Sequence, residues 1–497
     1  MNRRNVVARA SALCALSLTA ACSGGGGGVA APAPPAPLAS ATPIATAIAT
    51  ATHTAAPPTA TAAATAVATA TPVATPVATP SPAPSATALA GLNDRLYLAS
   101  GFYGNTIATI SQPRQLVALP NGDLLVGSKT SQNGSSTVYL VPNADGMQGA
   151  GAPVPFATLP DTEAQGVAFS NSAAAIFVAT TNGVWKIPYH VGDQSASSAP
   201  VEILKVRTGP VAPNSDGDVH TTTSVAVSGA QLFTSVGSSC NRCTETDPTR
   251  AVVLRTDLSG NGQYTVATRI RNAIALAVNP ASGTLWVGGA GQDCLVPTVL
   301  TTCGGQNNAY LTEGHPYEYL DPATLHGSGT VDYGWPDCEE DRHAYTTGAD
   351  CSATVVPSIE SPAYSTIIGA TFYPPNEAGA FAFPASYAGG IFMTFHGSWH
   401  EASDGIPVSV PNLVYVPMSG DAPATAMNWN SPDLTSQWSA FLSGYQDPQG
   451  NRYGQPSGIT VGAEGSLFVA DDFAGVVYRL RPSSTPASTA RSRDRIH

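Results

Sequence analysis

The sequence predicts an all-β protein: a six-bladed β-propeller preceded by a signal peptide and a disordered tether. Three observations carry that prediction. A hairpin phrase recurs six times, at intervals of about 50 residues that lengthen where insertions intervene, as in propeller blades. Long stretches of 3.6-residue periodicity with caps are absent, apart from a weak turn or two near Trp438. The leading ninety or so residues lack any composition that could bury a core.

In chain order, residues 1–22 (MNRRNVVARASALCALSLTAAC) read as a lipoprotein-type signal peptide, with a basic start, a short apolar run and small residues before Cys22. The run is too short and too Ser-rich to span a membrane. Thr19, Ala20, Ala21 and Cys22 resemble a bacterial lipobox, although the usual Leu sits one place early at Leu18; lipid on Cys22 is the expectation, with plain cleavage as the alternative. Arg3 and Arg4 alone say little about a twin-arginine route.

Residues 23–92 are low-complexity Ala/Thr/Pro sequence such as ATPVATPVATPSPAP, with proline too frequent for a helix or central strand, so they read as a tether. The propeller is expected over 93–482 and a disordered tail over 483–497. Within the propeller, NTIATI (105–110) is a strand candidate expected to pair in the same blade as 458–480. The hairpin phrases follow: QLVALPNGDLLVGS (115–128), GVAFSNSAAAIFVAT (166–180), Val225–Val236, Asn272–Gly289, YAGGIFMTFHGSW (387–399) and GITVGAEGSLFVADD (458–472). GVWKIPY, ending at Tyr189, reads as an outer strand.

Charged residues make up only 11% of the chain, with lysine at Lys129, Lys186 and Lys205 alone, and the formal net charge is -12. Such a surface suits an exported protein held at the bacterial envelope by its N-terminal lipid. It argues against nucleic acid as a partner, because phosphate binding needs basic patches. Cys14 leaves with the signal and Cys22 takes lipid, which leaves six cysteines in an oxidising compartment. Nearest-neighbour pairing gives Cys240–Cys243, Cys294–Cys303 and Cys338–Cys351 among 15 connectivities. A zinc site at CNRC (240–243) lacks a second ligand pair.

PNGDLLVGS, the VH at 219–220, GSSCNRC, RIRNAIALAVNP, YGWP (333–336), HGSW (396–399) and the closing GQPSGITVGAEGSLFVADDFAGVVYRL together resemble the glucose/sorbosone dehydrogenase family over about 390 residues. The resemblance implies a six-bladed propeller that uses pyrroloquinoline quinone (PQQ), often with calcium, to oxidise a small sugar, polyol or related aldehyde and pass electrons to an acceptor. It assigns His220 as the base, Arg271 as the cation that stabilises charge at the quinone, and Arg271, Asn272 and Trp399 as cofactor-binding. Asp216 and Asp218 offer oxygen ligands for calcium, although DGD is also an ordinary turn. YGWP reads as a structural turn.

The sequence departs from the family at Glu401, where a cation is usual, at Tyr364, where His is common, and at Thr223, where many members carry Arg. An anionic cofactor then needs a substitute cation, and Arg114, Arg242, Arg269 and Arg342 are the candidates. Two alternatives stay open: a non-catalytic binding or scaffold propeller, and a calcium-dependent lactone hydrolase.

Overall fold

The computed structural model describes residues 86–88, 94–147, 149–213, 219–295, 313–327, 329–402, 405–429 and 433–483. The signal peptide with Cys22, most of the tether, Asp216, Asp218, Cys303 and the tail lie outside the described residues.

Six sheets follow one another along the chain, each built from an innermost strand outward. Blade one begins with Pro113–Ala118 and Leu124–Ser128, blade two with Gly166–Ser170 and Ala175–Ala179, and blade three with Thr223–Ser228 and Gln231–Val236. Blade four begins with Asn272–Val278 and Leu285–Ala290, blade five with Ile367–Phe372 and Ile391–Phe395, and blade six with Pro456–Val461 and Leu467–Asp471. Each innermost strand touches the next, and the sixth touches the first, so the ring is closed.

The strand Phe102–Thr109, from the start of the fold, pairs antiparallel with Val476–Pro482 from its end, so the two termini share blade six. A sheet edge exposes unpaired N–H and C=O groups, and this pairing covers two of them at once. The expected pairing of 105–110 with 458–480 is therefore found.

Apolar packing is arranged between blades. Ile176 and Val178 face blade one, against Leu125 and Leu140, whereas Phe177 and Ala179 face blade three, against Leu232 and Val252. Equivalent clusters fill the other four interfaces, for example Ala273, Leu285 and Val287 with Phe233 and Val253 between blades three and four. Second strands are buried on both faces, which is why LLVGS, AIFVA and IFMTF read as unbroken apolar runs.

The structure adds detail that the hairpin phrases did not carry. In blade five, YAGGIFMTF holds only the second strand; the first, Ile367–Phe372, lies upstream. That blade gains Tyr97–Ala99 and, from inside the stretch read as tether, Ala86–Ala88. GVWKIPY is the third strand of blade two, covered by Val201–Lys205, rather than an outermost one. Ser439–Ser443 is a strand where a weak helical turn near Trp438 was read. Among the described residues the only helical elements are two 3₁₀ turns, Ala323–Leu325 and Ala385–Tyr387.

Close approach of inner strands sets the width of the ring. A Cβ on Gly458 would lie 2.1 Å from the Arg114 carbonyl oxygen of the neighbouring inner strand, a distance no side chain tolerates. Gly458→Val is expected to cost about 3 kcal/mol, read as a lower urea midpoint, because backbone rather than a flexible side chain must move; an unchanged midpoint would contradict this packing.

Candidate active site

In every blade the start of the innermost strand pairs with the end of the second: Pro113 with Ser128, Gly166 with Ala179, Thr223 with Val236, Asn272 with Ala290, Ile367 with Phe395 and Pro456 with Asp471. Residues flanking these positions therefore gather around one mouth of the ring. His220 and Ser238 come from blade three, Arg271, Asn272 and Asp293 from blade four, His396 from blade five, Asp472 from blade six and Arg114 from blade one.

His220, Arg271 and Asn272 meet around Gly237. A Cβ there would lie 2.6 Å from both Asn272 Oδ1 and His220 Cβ, so the glycine is what lets the two side chains converge. The Ser238 amide, next in sequence, donates to the Arg271 carbonyl at 2.8 Å and locks blade three to blade four.

The hydrogen bonds of His220 fix its tautomer. Nδ1 lies 3.1 Å from the Ser238 carbonyl, which can only accept, and 2.8 Å from Ser238 Oγ, whose own hydrogen is given to the Cys240 carbonyl at 2.7 Å. Nδ1 must therefore carry the proton, and Nε2 keeps its lone pair. Burial holds the imidazole pKa well below its ordinary 6.5, and the nearby Arg271 and Arg207 cations push the same way. At neutral pH His220 is an uncharged base.

Arg271 is buried and held from four sides. Nε donates to the Asn241 carbonyl at 3.1 Å and Nη1 to the Gly291 carbonyl at 2.6 Å, while Nη2 donates to Asn241 Oδ1 at 2.8 Å and Asp293 Oδ2 at 2.9 Å. Asn241 lies inside the Cys240–Cys243 disulfide loop, and buried Trp335 donates to its carbonyl at 3.2 Å. YGWP is thus a turn, as read, and also a brace for the guanidinium. Behind Arg271 a water-sized cavity of about 10 Å³ is lined by Asn272, Gly291, Glu318 and Glu339. Burial raises the pKa of Glu318 well above the carboxylate range and pushes Glu339 to about 8.

Other sequence-assigned residues fall as follows. Trp399 stands at the mouth with 57% of its surface exposed. Tyr364 is buried, accepts from the Cys294 amide at 3.0 Å and stacks on His400. Glu401 is exposed, its backbone bridged to Pro407, and the carboxylate beside Arg271 is Asp293 instead. The Cys240–Cys243 and Cys338–Cys351 disulfides are present. Cys303 lies outside the described residues.

Each of the four arginines offered as substitutes is already bonded within the protein. Arg114 pairs with Asp472, which also accepts from His396 Nε2 at 2.9 Å; despite burial, His396 and Arg114 hold that carboxylate at about 2. Arg269 is bound to Asp332 and Asp337, Arg242 to Thr346, and Arg342 to the Thr354 carbonyl. Sequence reasoning missed Arg207, whose guanidinium reaches Thr223 Oγ1 at 2.6 Å and the His220 carbonyl at 2.7 Å. A lone arginine before a proline-containing loop carried no signal.

A buried polar atom marks where a ligand would complete the site. Asn272 Oδ1 has no hydrogen-bond partner among the described residues, and neither do both amide atoms of fully buried Gln292, two residues beyond Ala290. An acceptor without a donor, a fixed guanidinium with one of its five N–H groups left over, and an exposed indole face suit a planar, electron-accepting ring.

The family model described as TrAA12-like matches residues 96–483. The chain belongs to that family. The resemblance to glucose/sorbosone dehydrogenases read from its motifs is borne out. This TrAA12-like protein is 22% identical over 381 residues to an uncharacterised protein of Borreliella burgdorferi, covering 75% of this chain and 86% of that one. Its fold is similar to the holo form of the pyranose dehydrogenase PQQ domain from Coprinopsis cinerea, with a TM-score of 0.61, 16% identity, and coverage of 78% of this chain and 97% of that one. It is also similar to a calcium structure of a Trichoderma reesei Carbohydrate-Active Enzymes Family AA12 protein, with a TM-score of 0.59, 20% identity, and coverage of 81% and 98%.

The neutral histidine has a measurable signature. His220 should show the Nδ1–H tautomer by ¹⁵N NMR at pH 6.5. Because its folded pKa lies below the unfolded value, the unfolded chain takes up a proton below pH 6.5 that the folded chain refuses, so stability falls as pH drops. Between pH 7.5 and 5.5 the parent is expected to lose up to ~1 kcal/mol more than His220→Gln in urea denaturation; equal losses would contradict a neutral His220.

Proposed function

We propose that this TrAA12-like protein is a PQQ-dependent oxidoreductase acting on a small sugar or related alcohol or aldehyde, tethered at the cell envelope through lipid on Cys22. The observation that carries this reading is the neutral His220, fixed by Ser238 with Nε2 open, beside the partnerless Asn272 oxygen and the immobilised Arg271. The similar Coprinopsis cinerea structure is the holo form of a PQQ domain and the similar Trichoderma reesei structure is a calcium structure, which supports quinone and calcium as the cofactor class.

Arg271, Asn272 and Trp399 would hold the cofactor, which when bound supplies a two-electron acceptor for hydride. His220 Nε2 takes the proton of the sugar hydroxyl, a task for which an uncharged imidazole is suited. The Arg271 guanidinium would stabilise the negative charge that a bound acceptor takes up, and its four existing hydrogen bonds mean that it need not reorganise. Asp216 and Asp218 are the proposed calcium ligands. An external acceptor must then remove the electrons.

One observation favours a second reading, a binding propeller without redox chemistry: each candidate cation at the mouth already has a protein partner, and an anionic cofactor must share rather than claim it. A single assay separates the two. The purified protein, supplied with PQQ and calcium, should reduce an artificial dye against at least one member of a sugar panel. His220→Ala should lower that rate by about 10²–10⁴-fold while leaving the circular dichroism spectrum unchanged. Unaltered activity in the variant would remove His220 as the base, and an inactive parent would favour the binding reading.

The tether is tested separately. Cys22→Ser is expected to shift the protein from the membrane fraction to the soluble fraction of a lipoprotein-processing host; membrane retention by the variant would exclude the lipid anchor.

A further inference from the structure

The loop after the second strand of blade three ties the base and the cation of the mouth to one disulfide. Ser238 Oγ, which accepts from His220 Nδ1, gives its own hydrogen to the Cys240 carbonyl at 2.7 Å. One residue on, Asn241 Oδ1 and the Asn241 carbonyl accept from Arg271 at 2.8 and 3.1 Å, and Asn241 Nδ2 donates to the Asp293 carbonyl at 2.8 Å. The Cys240–Cys243 bond brackets Asn241 on both sides. Arg242, the other bracketed residue, donates to Thr346 Oγ1 at 2.8 Å, just past the acidic hairpin in which Cys338–Glu339 pairs with His343–Ala344. That hairpin belongs to the blade-four insertion between Glu318–Asp321 and Ile359–Ser361.

The two sulfurs differ in access. Cys240 is 1% exposed and packs with Ala251 and Trp335, whereas Cys243 is half-buried and lines a cavity of about 550 Å³ beside Tyr264–Thr268, the fourth strand of blade three. A volume of that order is typical of small-molecule sites. Its walls carry both signs of charge, Arg269 with Glu245 and Asp337, which complements a small zwitterion. His220, Arg271 and Asn272 do not line it, so a solute bound there leaves the mouth open. Cys294, Cys338 and Cys351 are buried and lie outside it. Among the described residues, Cys243 is therefore the disulfide sulfur that a solute reaches first.

We propose, resting on the reading of His220 and Arg271 as base and cation, that Cys243 is an exchange site for a small zwitterionic thiol and that the Cys240–Cys243 bond switches the geometry of those two groups. The thiolate of the solute attacks Cys243 Sγ, the bond between the two protein sulfurs breaks, and Cys240 leaves as a thiolate. A second solute thiol attacks the sulfur of the first, which releases the Cys243 thiolate and joins the two solutes as a disulfide. Two electrons pass from the solutes to the cysteine pair, and their two protons end on Cys240 and Cys243. The oxidised solute runs the exchange backwards. With the bond open, Asn241 and the Cys240 carbonyl are held by hydrogen bonds alone, each weak in net terms. Once that carbonyl is released, the Ser238 hydroxyl hydrogen turns to Nδ1, and the imidazole populates the Nε2–H tautomer, which is no base toward the mouth.

The test uses the full chain and needs neither sugar nor turnover. After incubation with glutathione at graded ratios of reduced to oxidised form, alkylation and peptide mass spectrometry should find glutathione on Cys243 and alkylated Cys240 before any change at Cys338 or Cys351. Over the same ratios the His220 ¹⁵N signals should pass from the Nδ1–H form to a mixture of both tautomers. Affinity for PQQ, read by fluorescence quenching, should fall about 5- to 150-fold on reduction, and saturating PQQ should shift the exchange midpoint by the same factor. The double variant Cys240→Ser, Cys243→Ser should show mixed tautomers without glutathione and no response to it; if it fails to fold, the parent in reduced glutathione supplies the same open state. Modification of Cys338 or Cys351 ahead of Cys243, or a reduced pair with an unchanged His220 tautomer, would overturn the switch. Failure of the oxidised protein to bind PQQ would count against the quinone reading alone, because labelling and tautomer still decide this one.

Discussion

The antiparallel pairing of Phe102–Thr109 with Val476–Pro482 is the contact on which the remaining geometry depends. Until those strands meet, blade six lacks its outermost strand and leaves the edge of Val476–Pro482 open, and the inner strands have no fixed angular position. Once they meet, each inner strand is wedged between two neighbours, and the six inter-blade apolar clusters close into a ring. The convergence of His220 with Arg271 and Asn272 follows from that wedging, because they stand at the leading ends of adjacent inner strands.

Charges at the mouth are arranged as closed pairs rather than as free groups. Arg271 is tied to Asp293, Arg114 and His396 both to Asp472, and Arg207 to carbonyls and Thr223. Buried ions that lacked such partners would be expensive, and ions that have them are rigid. The rigid cations explain the chemistry of His220: two guanidiniums near a buried imidazole favour its neutral form, which is the form a base requires. In ring order the Arg114–Asp472–His396 group lies across the mouth from His220 and Arg271, so both halves of the rim are polar and pre-set.

Blade four joins this rim to the acidic hairpin. Glu339 lines the cavity behind Arg271, whereas its neighbour Glu340 bonds His315 and repels Glu360. Glu339 ends the short strand Cys338–Glu339 and Glu340 follows it with a φ of 58°, so the backbone turns between the two side chains and they serve two environments. The Cys338–Cys351 disulfide and the bracing of Asn241 by Trp335 tie the insertion to both.

The sequence by itself determined the class of fold, the number of blades and the nearest-neighbour disulfides at 240–243 and 338–351, because these depend on local alternation, turn residues and short loops. Its motifs also named His220, Arg271 and Asn272. Only the tertiary structure decided what these residues are bonded to. Arg207 acts on His220 from another loop, Asp293 occupies Arg271, and Glu401 faces solvent instead of the cation once expected near it, since such pairings are set by the packing of blades distant in sequence. Strands such as Ile367–Phe372 and Ala86–Ala88 were illegible for the same reason: nothing in their own residues marks them, and the neighbouring strands that pair with them are reached only when the ring is formed.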